Sequence, residues 1–245
     1  MANNQIHRVS PELTNNAQFR DIRSIPTTML KDGDTILVYP GEYSDPRTAN
    51  VGNVTIKGFG TASNVRFAGF SVLSDMPASS TIDIENVQIE APGLIVGNSA
   101  VTVNVKDSHI DGTTGTNRAA ALTVANAAVL VGVLDSNAAV AATDAASTVI
   151  LTRCMLGDNE IHGYGVVSHN NSGSIVMRNC HVQNDAGLLT NVTAAIEHCT
   201  FTGANNYCSS VASGGAGVPT VVVRASVAAA ANAGNMTETV VALIS

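Results

Sequence analysis

A short pattern of small and apolar residues recurs along this chain at nearly regular intervals. In Ser174–Val182 these residues stand at four positions, and a polar residue, Asn179, separates the two pairs. Five other segments share this arrangement, about 22 residues apart on average, which indicates a structural repeat. The six sets are Ile82, Ile84, Val87 and Ile89; Val103, Val105, Ser108 and Ile110; Val131, Val133, Ser136 and Ala138; Val149, Leu151, Cys154 and Leu156; Ile175, Met177, Cys180 and Val182; and Ala194, Ile196, Cys199 and Phe201.

Two further features keep phase with this pattern. The position between the two pairs is always polar, and it holds Asn86, Asp107, Asp135, Arg153, Asn179 and His198. A second family of strand-like segments lies between the repeats, at Leu94 and Val96, Leu122 and Val124, Val140 and Ala142, Val166 and Ser168, and Leu189. Polar turn residues follow them, namely Asn98, Asn126, Asp144, Asn170 and Asn191. Each turn of the chain therefore supplies at least two short strands that pair in parallel with the same strands one turn later.

The composition favours thin stacked layers over a bulky globular core. Hydrophobic residues make up 45% of the chain, but aromatic residues make up only 4% and Trp is absent, so Val, Ile, Leu and Ala must fill the interior. A leucine-rich horseshoe has a similar period, but its Leu-x-x-Leu-x-Leu spacing does not occur here. A β-sandwich remains an alternative, although it does not explain why the two families of strand-like segments recur in step with each other along the chain.

The segment Lys31–Tyr43 carries a resemblance to a known fold family. Its Gly33-Asp-Thr-Ile, Val38 and Pro40-Gly-Glu-Tyr residues give a turn, a β-branched strand and a stop. This arrangement resembles the entry to pectin-lyase-like right-handed parallel β-helices, in which a capping helix precedes such a strand. The resemblance and the repeat together predict an all-β fold, a single-stranded right-handed parallel β-helix of about nine coils with a short N-terminal capping helix.

The same resemblance sets the expected organisation of the chain. We expect residues 1–30 to form an N-terminal arm and a capping helix, the helix lying within Asn15–Leu30 although Pro26 interrupts it. Residues 31–245 are expected to form the right-handed parallel β-helix.

Charge and hydropathy argue against two classes of partner, nucleic acids and membranes. The net charge is −7, whereas nucleic-acid affinity comes from clustered Lys and Arg. The opening residues lack an apolar signal core, and no apolar run of about 18 residues follows. We therefore expect no nucleic-acid partner, no membrane insertion and no secretory route.

The four cysteines do not suggest a disulfide scaffold or a metal site. Cys154, Cys180 and Cys199 occupy one repeat position, which predicts a column of buried thiols. Such a one-sided column does not surround a metal ion, and the six histidines are scattered, so no metal-binding or cofactor-binding residues are predicted.

Many pectin-lyase-like proteins act on acidic polysaccharides, so catalytic groups were sought. The best candidates are Asp158, Glu160 and His162, followed one coil later by Asp185. No Gly-His-Gly motif accompanies them, and no Lys lies between Lys106 and the C-terminus. The prediction is that this chain is not an enzyme and has no catalytic residues; a polysaccharide lyase or hydrolase acting on acidic glycans, or a non-catalytic glycan- or host-binding module, are the alternatives.

The predicted function is that of a structural protein in a phage virion. The resemblance is to β-helical decoration, tail or appendage proteins, which are assembled in the host cytoplasm and act as rigid spacers. Other virion proteins are the expected partners, docking through the polar arm Ala2–Ser10 or the C-terminal strand Val240–Ile244. Since the β-helical phage proteins it resembles are often trimers, a homotrimer is one expected assembly.

Overall fold

A computed structural model describes most of the first half of the chain and shorter segments of the second half. The described ranges are 4–46, 53–72, 80–90, 93–97, 101–111, 122–125, 147–156, 164–168, 173–182, 186–190, 193–201, 208–210, 221–224 and 227–228. Within them the protein consists of β-strands and three short 3-10 turns, at Ile22–Ser24, Thr27–Met29 and Ala62–Asn64. The described residues contain no α-helix, so this part of the protein is all-β.

Twenty-three short strands are described, most of them two to five residues long. In chain order they are β1 (Ile6–Val9), β2 (Thr35–Val38), β3 (Gly41–Ser44), β4 (Val54–Gly58), β5 (Val65–Ala68), β6 (Phe70–Val72), β7 (Thr81–Glu85), β8 (Gln88–Ile89), β9 (Leu94–Gly97), β10 (Thr102–Lys106), β11 (His109–Ile110), β12 (Leu122–Ala125), β13 (Ser147–Thr152), β14 (Met155–Leu156), β15 (Tyr164–Ser168), β16 (Gly173–Arg178), β17 (His181–Val182), β18 (Ala186–Thr190), β19 (Thr193–Glu197), β20 (Thr200–Phe201), β21 (Cys208–Ser210), β22 (Val221–Arg224) and β23 (Val227–Ala228).

The strands form three parallel sheets. The nine-stranded sheet has the order β1-β2-β4-β7-β10-β13-β16-β19-β22, the eight-stranded sheet runs from β3 to β23, and the six-stranded sheet runs from β6 to β21. From β4 to β21 the chain visits the three sheets in turn, and each strand except β6 and β21, the edges of the six-stranded sheet, pairs with the strand one turn before it and the strand one turn after it. Every interior strand therefore has hydrogen-bonded neighbours on both sides.

The side chains that the repeat pattern placed inward form the core. Ile82, Ile84, Val103, Val149 and Leu151 are all at most 1% exposed, and they belong to one buried cluster. Pairing aligns them in columns, since Ile84 lies beside Val105 and Val105 lies beside Leu151. Removing a side chain of this size from water contributes about 1.5–3 kcal/mol, so these columns are a main source of stability. The predicted facing of these strands is confirmed.

The polar position between the two strands of each repeat is a left-handed bend. Asn86, Asp107, Arg153, Asn179 and His198 have φ angles of 59°, 52°, 52°, 53° and 53°. At this bend the chain passes from the nine-stranded sheet to the eight-stranded sheet within two residues. Asn and Asp tolerate it best among residues with a Cβ, and Arg153 and His198 adopt it at some cost.

The pairing of the described strands contradicts one step of the predicted repeat. Val103 pairs directly with Val149, and the bend residues that follow them, Asp107 and Arg153, are 46 residues apart. The set Val131, Val133, Ser136 and Ala138 lies outside the described residues, and its predicted place between these two strands is wrong. The spacing was matched by apolar composition alone, which an Ala- and Val-rich segment satisfies in several registers.

The second predicted strand family corresponds to the six-stranded sheet. Leu94 pairs with Leu122, as predicted, but Leu122 pairs directly with Val166, although the segment at Val140 and Ala142 was predicted to lie between them. Val166 then pairs with Leu188, one residue before the predicted Leu189. Val140 and Ala142, together with the polar turn residues that were predicted to follow each strand, lie outside the described residues.

The predicted capping helix over Asn15–Leu30 is wrong. Asn15 and Asn16 have φ angles of 57° and 58°, which no α-helix accepts, and only the two 3-10 turns at Ile22–Ser24 and Thr27–Met29 follow. Pro26 and the β-branched Thr residues after it disfavour a longer helix. Ile22 and Ile25 are nevertheless buried.

The end of the nine-stranded sheet is closed by the N-terminal segment. Residues Ile6–Val9, which were predicted to be part of a free arm, form β1 and pair with β2. The Arg8 carbonyl accepts hydrogen bonds from the amides of Gln18 and Phe19, at 3.0 and 3.2 Å, and the Ser10 amide donates to the Phe19 carbonyl at 2.9 Å. The loop after β1 thus satisfies part of an edge that is otherwise open to pairing with other chains.

Candidate functional site

The residues singled out as catalytic candidates, Asp158, Glu160, His162 and Asp185, lie outside the described residues. No group of three His, Cys, Asp or Glu side chains that is arranged to hold a metal ion occurs among the residues that the structure describes. Within the same residues, no helix is long and apolar enough to cross a membrane.

A concentration of ionisable side chains lies instead on the outer face of the eight-stranded sheet. We call it the Arg66 cluster, and its members are Glu42, Arg66, Gln88, Glu90, His109 and Asp111. The sheet places them because Glu42 pairs with Arg66, Arg66 with Gln88, and Gln88 with His109, so that these four outward residues form one column. Glu90 and Asp111 follow the inward residues Ile89 and Ile110 and form a second, adjacent column.

Arg66 is the centre of this cluster. Its Nε donates a 2.7 Å hydrogen bond to Glu90 Oε1, its Nη2 contacts the same oxygen, and its Nη1 donates to Glu42 Oε1 at 3.0 Å. The hydrogen bond and the charge of Glu90 raise the pKa of the Arg66 guanidinium above its ordinary value. Three successive turns of the chain are therefore joined by one side chain, although solvent weakens these exposed interactions.

The second half of the cluster contains a histidine beside a carboxylate. His109 Nε2 lies 2.8 Å from Asp111 Oδ1, and Gln88 Nε2 donates a 3.1 Å hydrogen bond to Asp111 Oδ2. Asp111 Oδ1 is buried, and the His109 imidazole is the group that lies against it. Protonation of His109 converts this contact into an ion pair, so the group has the components of a proton-accepting site or of a polar binding surface.

A buried acidic group lies at the N-terminal end of the stack. Asp34, which is completely buried, accepts hydrogen bonds from the Gln5 amide at 2.8 Å and the Lys31 amide at 2.9 Å, and His7 Nε2 is 2.9 Å from its Oδ2. Burial acts to raise the pKa of Asp34, but the hydrogen bonds from Gln5, His7 and Lys31 outweigh it and lower the pKa below the ordinary value. This network joins β1 to the turn before β2, which is a structural role.

The predicted column of cysteines is confirmed. Cys154, Cys180 and Cys199 are 1–3% exposed and follow equivalent bend residues in consecutive turns. The Cys154 and Cys180 thiols lie 3.4 and 3.5 Å from the carbonyl oxygens of Val105 and Leu151, one turn earlier. The neighbouring Cys180 thiol and burial together raise the pKa of both Cys154 and Cys199. Cys154 and Cys199 are therefore packed thiols that are protonated at neutral pH and unreactive.

Sequence reasoning missed the Arg66 cluster. Its signal was present, because Gln88, Glu90, His109 and Asp111 flank the inward residues Ile89 and Ile110 in two successive repeats. The catalytic candidates stand out by the spacing of acidic residues along the chain, whereas the members of the Arg66 cluster are related by their position one turn apart. Glu42 and Arg66 lie before the six aligned repeats, so the alignment could not place them in the same column.

Comparison with known proteins gives no family for this chain. No protein-family model, no curated protein and no solved structure matches it.

Proposed function

We propose that the chain is a right-handed parallel β-helix that serves as a rigid structural rod in a phage virion, as a capsid decoration or a tail or appendage component. The single observation that supports it most is the register, in which each strand of three sheets lies beside its counterpart from the neighbouring turns. A right-handed sense follows from the rule that parallel crossovers are right-handed in about 98% of cases. The nine paired strands make the rod about 38 Å long.

A rod of this kind is stiff because its repeats are joined to each other along its whole length. Inside, the columns exclude water; outside, charged side chains pair between neighbouring turns. Lys57 Nζ lies 2.8 Å from Glu85 Oε2, and Arg153 Nε lies 2.6 Å from Asp107 Oδ1. Each of these carboxylates is therefore paired with a basic side chain from a neighbouring turn of the same chain. Such pairs hold the turns together, as a rigid spacer requires.

The virion setting rests on the resemblance of Lys31–Tyr43 to the entry strand of pectin-lyase-like β-helices and on the repeat. It is tested by purifying phage particles from lysates of the source culture and measuring the chain in them by quantitative mass spectrometry. We expect the chain to sediment with intact particles at a fixed copy number. Recovery only in the soluble fraction, with none in particles, would exclude a virion component.

The Arg66 cluster favours one alternative, a module that binds or cleaves acidic glycans. Its Glu90 and Asp111 are carboxylates one turn apart, beside a guanidinium and an imidazole, which are groups used in glycoside chemistry. A reducing-end assay on a panel of capsular polysaccharides separates the two functions. The rod predicts no new reducing ends, whereas a depolymerase predicts product that is lost in Glu90→Gln and Asp111→Asn.

A further inference from the structure

The outer face of the nine-stranded sheet carries charges in a regular order. One outward column, which we call the basic column, has a basic residue on every second strand. From β1 to β22 it reads Arg8, Leu37, Lys57, Glu85, Lys106, Thr152, Arg178, Glu197 and Arg224. Five of the 12 basic residues of an acidic chain thus share one line. Neither composition nor solubility requires this order.

A second outward column lies beside the first and is nearly uncharged. We call it the neutral column, and it reads Ile6, Thr35, Thr55, Asp83, Asn104, Ile150, Val176, Ala195 and Val222. Ile6 is 53% exposed, and the described side chains of both columns are exposed or partly exposed. The face is therefore accessible and partly apolar, which are properties of a contact surface.

The spacing of the basic residues restricts the partner. Strands lie about 4.8 Å apart, so basic residues on alternate strands are about 9.6 Å apart. Phosphates follow each other every ~3.4 Å along a nucleic-acid strand, so this column would meet only one in three. Glu85 and Glu197 stand between the basic residues, in ion pairs of 2.8 and 3.2 Å, and would repel any continuous polyanion. The pattern fits a partner whose charges alternate with the strand period itself.

A second copy of this chain has that period, and we propose that two copies pack face to face through the nine-stranded sheet. The two rods run antiparallel, and their two-fold axis lies along the strand direction between β7 and β10. In this arrangement β1 faces β19, β2 faces β16, β4 faces β13, and β7 faces β10. Closed two-fold contacts of this kind are the commonest form of protein self-association.

The basic column is complementary to itself in this register. The facing pairs are Arg8 with Glu197, Leu37 with Arg178, Lys57 with Thr152, and Glu85 with Lys106. Each pair occurs twice, so four facing pairs have opposite charges and none has like charges. Moving the axis by half a strand, onto β10, places Lys106 against Lys106 and Lys57 against Arg178. Like charges that face each other across an interface are unfavourable, so the alternation favours an axis between two strands over an axis on a strand. An axis between β10 and β13 pairs as many opposite charges, but it places the Asp83 carboxylate against Val176, so the neutral column selects the axis between β7 and β10.

The neutral column matches in the same register. Its facing pairs are Ile6 with Ala195, Thr35 with Val176, Thr55 with Ile150, and Asp83 with Asn104. The exposed Ile6 side chain is covered by a small apolar residue, and the carboxylate nearest the axis meets an amide. Asn104 Nδ2 already donates a 2.7 Å hydrogen bond to Asp83 Oδ1 of its own chain, so these groups are held in position.

The contact area is sufficient for a specific dimer. Eight facing strands at ~4.8 Å, each contributing five residues at about 3.3 Å, give roughly 650 Å² per copy and about 1,300 Å² in total. Specific interfaces bury about 1,200–2,000 Å², so the face lies at the lower end of that range. Charge pairing at such an interface makes the dimer sensitive to salt.

Sedimentation of the full chain across a concentration series gives the first test. We expect a dimer of the 25.1 kDa chain that dissociates as salt is raised. Lys106→Glu, which places Glu against Glu85 twice, is expected to weaken dimerisation at least tenfold. Lys31→Glu makes the same change of charge in the loop before β2 and is expected to leave dimerisation unchanged. A monomer at all concentrations, a trimer, or equal effects of the two substitutions would overturn the proposal.

Cross-linking between two single-cysteine variants tests the register, in a Cys208→Ser background. Lys57 of one copy faces Thr152 of the other, whereas within one chain they are three strands, about 14 Å, apart and too far for a disulfide. Mixing Lys57→Cys with Thr152→Cys protein is therefore expected to give a disulfide-linked dimer under oxidation. A mixture of Lys57→Cys with Arg178→Cys protein tests the shifted register and is expected to stay unlinked. Equal or preferential linkage in that control would contradict the arrangement, and neither outcome depends on the virion role.

Discussion

Gly58 lies directly beneath the backbone of Asn86, the bend residue one turn later. A Cβ on Gly58 would stand 2.0 Å from the Asn86 carbonyl oxygen, and the Asn86 side chain donates a 3.0 Å hydrogen bond to the Gly58 carbonyl. Two successive turns of the chain therefore approach more closely at this point than any other residue allows. The column that holds Val9 and Val38 in the first two strands ends here, because the chain now bends across it.

Gly58→Ala is therefore expected to destabilise the protein by about 3 kcal/mol, since backbone and not a flexible side chain must move. Urea unfolding followed by circular dichroism measures the change. Thr55→Ala, at an outward position of the same strand, should change stability by no more than about 0.5 kcal/mol. Equal effects of the two substitutions would mean that the turns are not packed against each other as described.

Met177→Asp tests the interior of the stack. Met177 is completely buried between Leu151 and Ile196 of the neighbouring turns, so an unpaired charge there should cost several kcal/mol. Met177→Leu keeps the apolar volume and should cost less than about 1.5 kcal/mol. Thermal unfolding of the two variants compares them, and a melting temperature that Asp leaves unchanged would show that this side chain does not face inward.

These interior positions were the part of the fold that sequence could predict. An inward column needs only an apolar residue that recurs at a regular interval. The spacing of Ile84, Val105 and Leu151 along the sequence was therefore enough to predict that they are buried. The N-terminal segment had no such repetition. Its apolar residues Ile22 and Ile25 are buried, but burial alone does not distinguish a helix from two 3-10 turns.

The Arg66 cluster shows what sequence could not supply. Glu42 and Arg66 are 24 residues apart, and their contact depends on a register that their own segments do not encode. The packing of the buried columns fixes the register of the strands, and this register then determines which outward residues become neighbours. A gap such as the 46-residue step from Asp107 to Arg153 therefore shifts every outward pairing that sequence alone would assign.

The buried carboxylate of Asp34 makes the stability of the protein depend on pH. Although burial acts to raise it, hydrogen bonds hold the pKa of Asp34 in the folded protein below its ordinary value of 3.8. Its contribution to stability is therefore complete above that value and is lost as pH falls through the folded pKa. Asp34→Asn is expected to lower the unfolding midpoint in urea at about pH 6 and to flatten its fall between about pH 4 and 2. If the unfolding midpoints of the wild type and the variant changed with pH in parallel, Asp34 would not be the source of the pH dependence.

His198 tests the left-handed bend without disturbing the core. It is exposed and has a φ angle of 53°, which a β-branched residue adopts only with strain. His198→Val is expected to cost about 1–2 kcal/mol, whereas His198→Gly should be neutral or slightly stabilising. Chemical unfolding of both variants gives the sign, and a Gly variant less stable than the Val variant would contradict the bend.

The account depends most on residues from distant parts of the chain lying side by side along one axis. Asn104 and Ile150 are register partners on outward positions of β10 and β13, so their Cα atoms should be about 4.8 Å apart. Cysteines at both positions, treated with a short bis-thiol reagent and mapped by mass spectrometry of the monomer fraction, measure this directly. We predict efficient linkage in Asn104→Cys/Ile150→Cys and little in Asn104→Cys/Val176→Cys, whose strands are two steps apart. Linkage that is equal in the two pairs, or that favours the second, would contradict the stack.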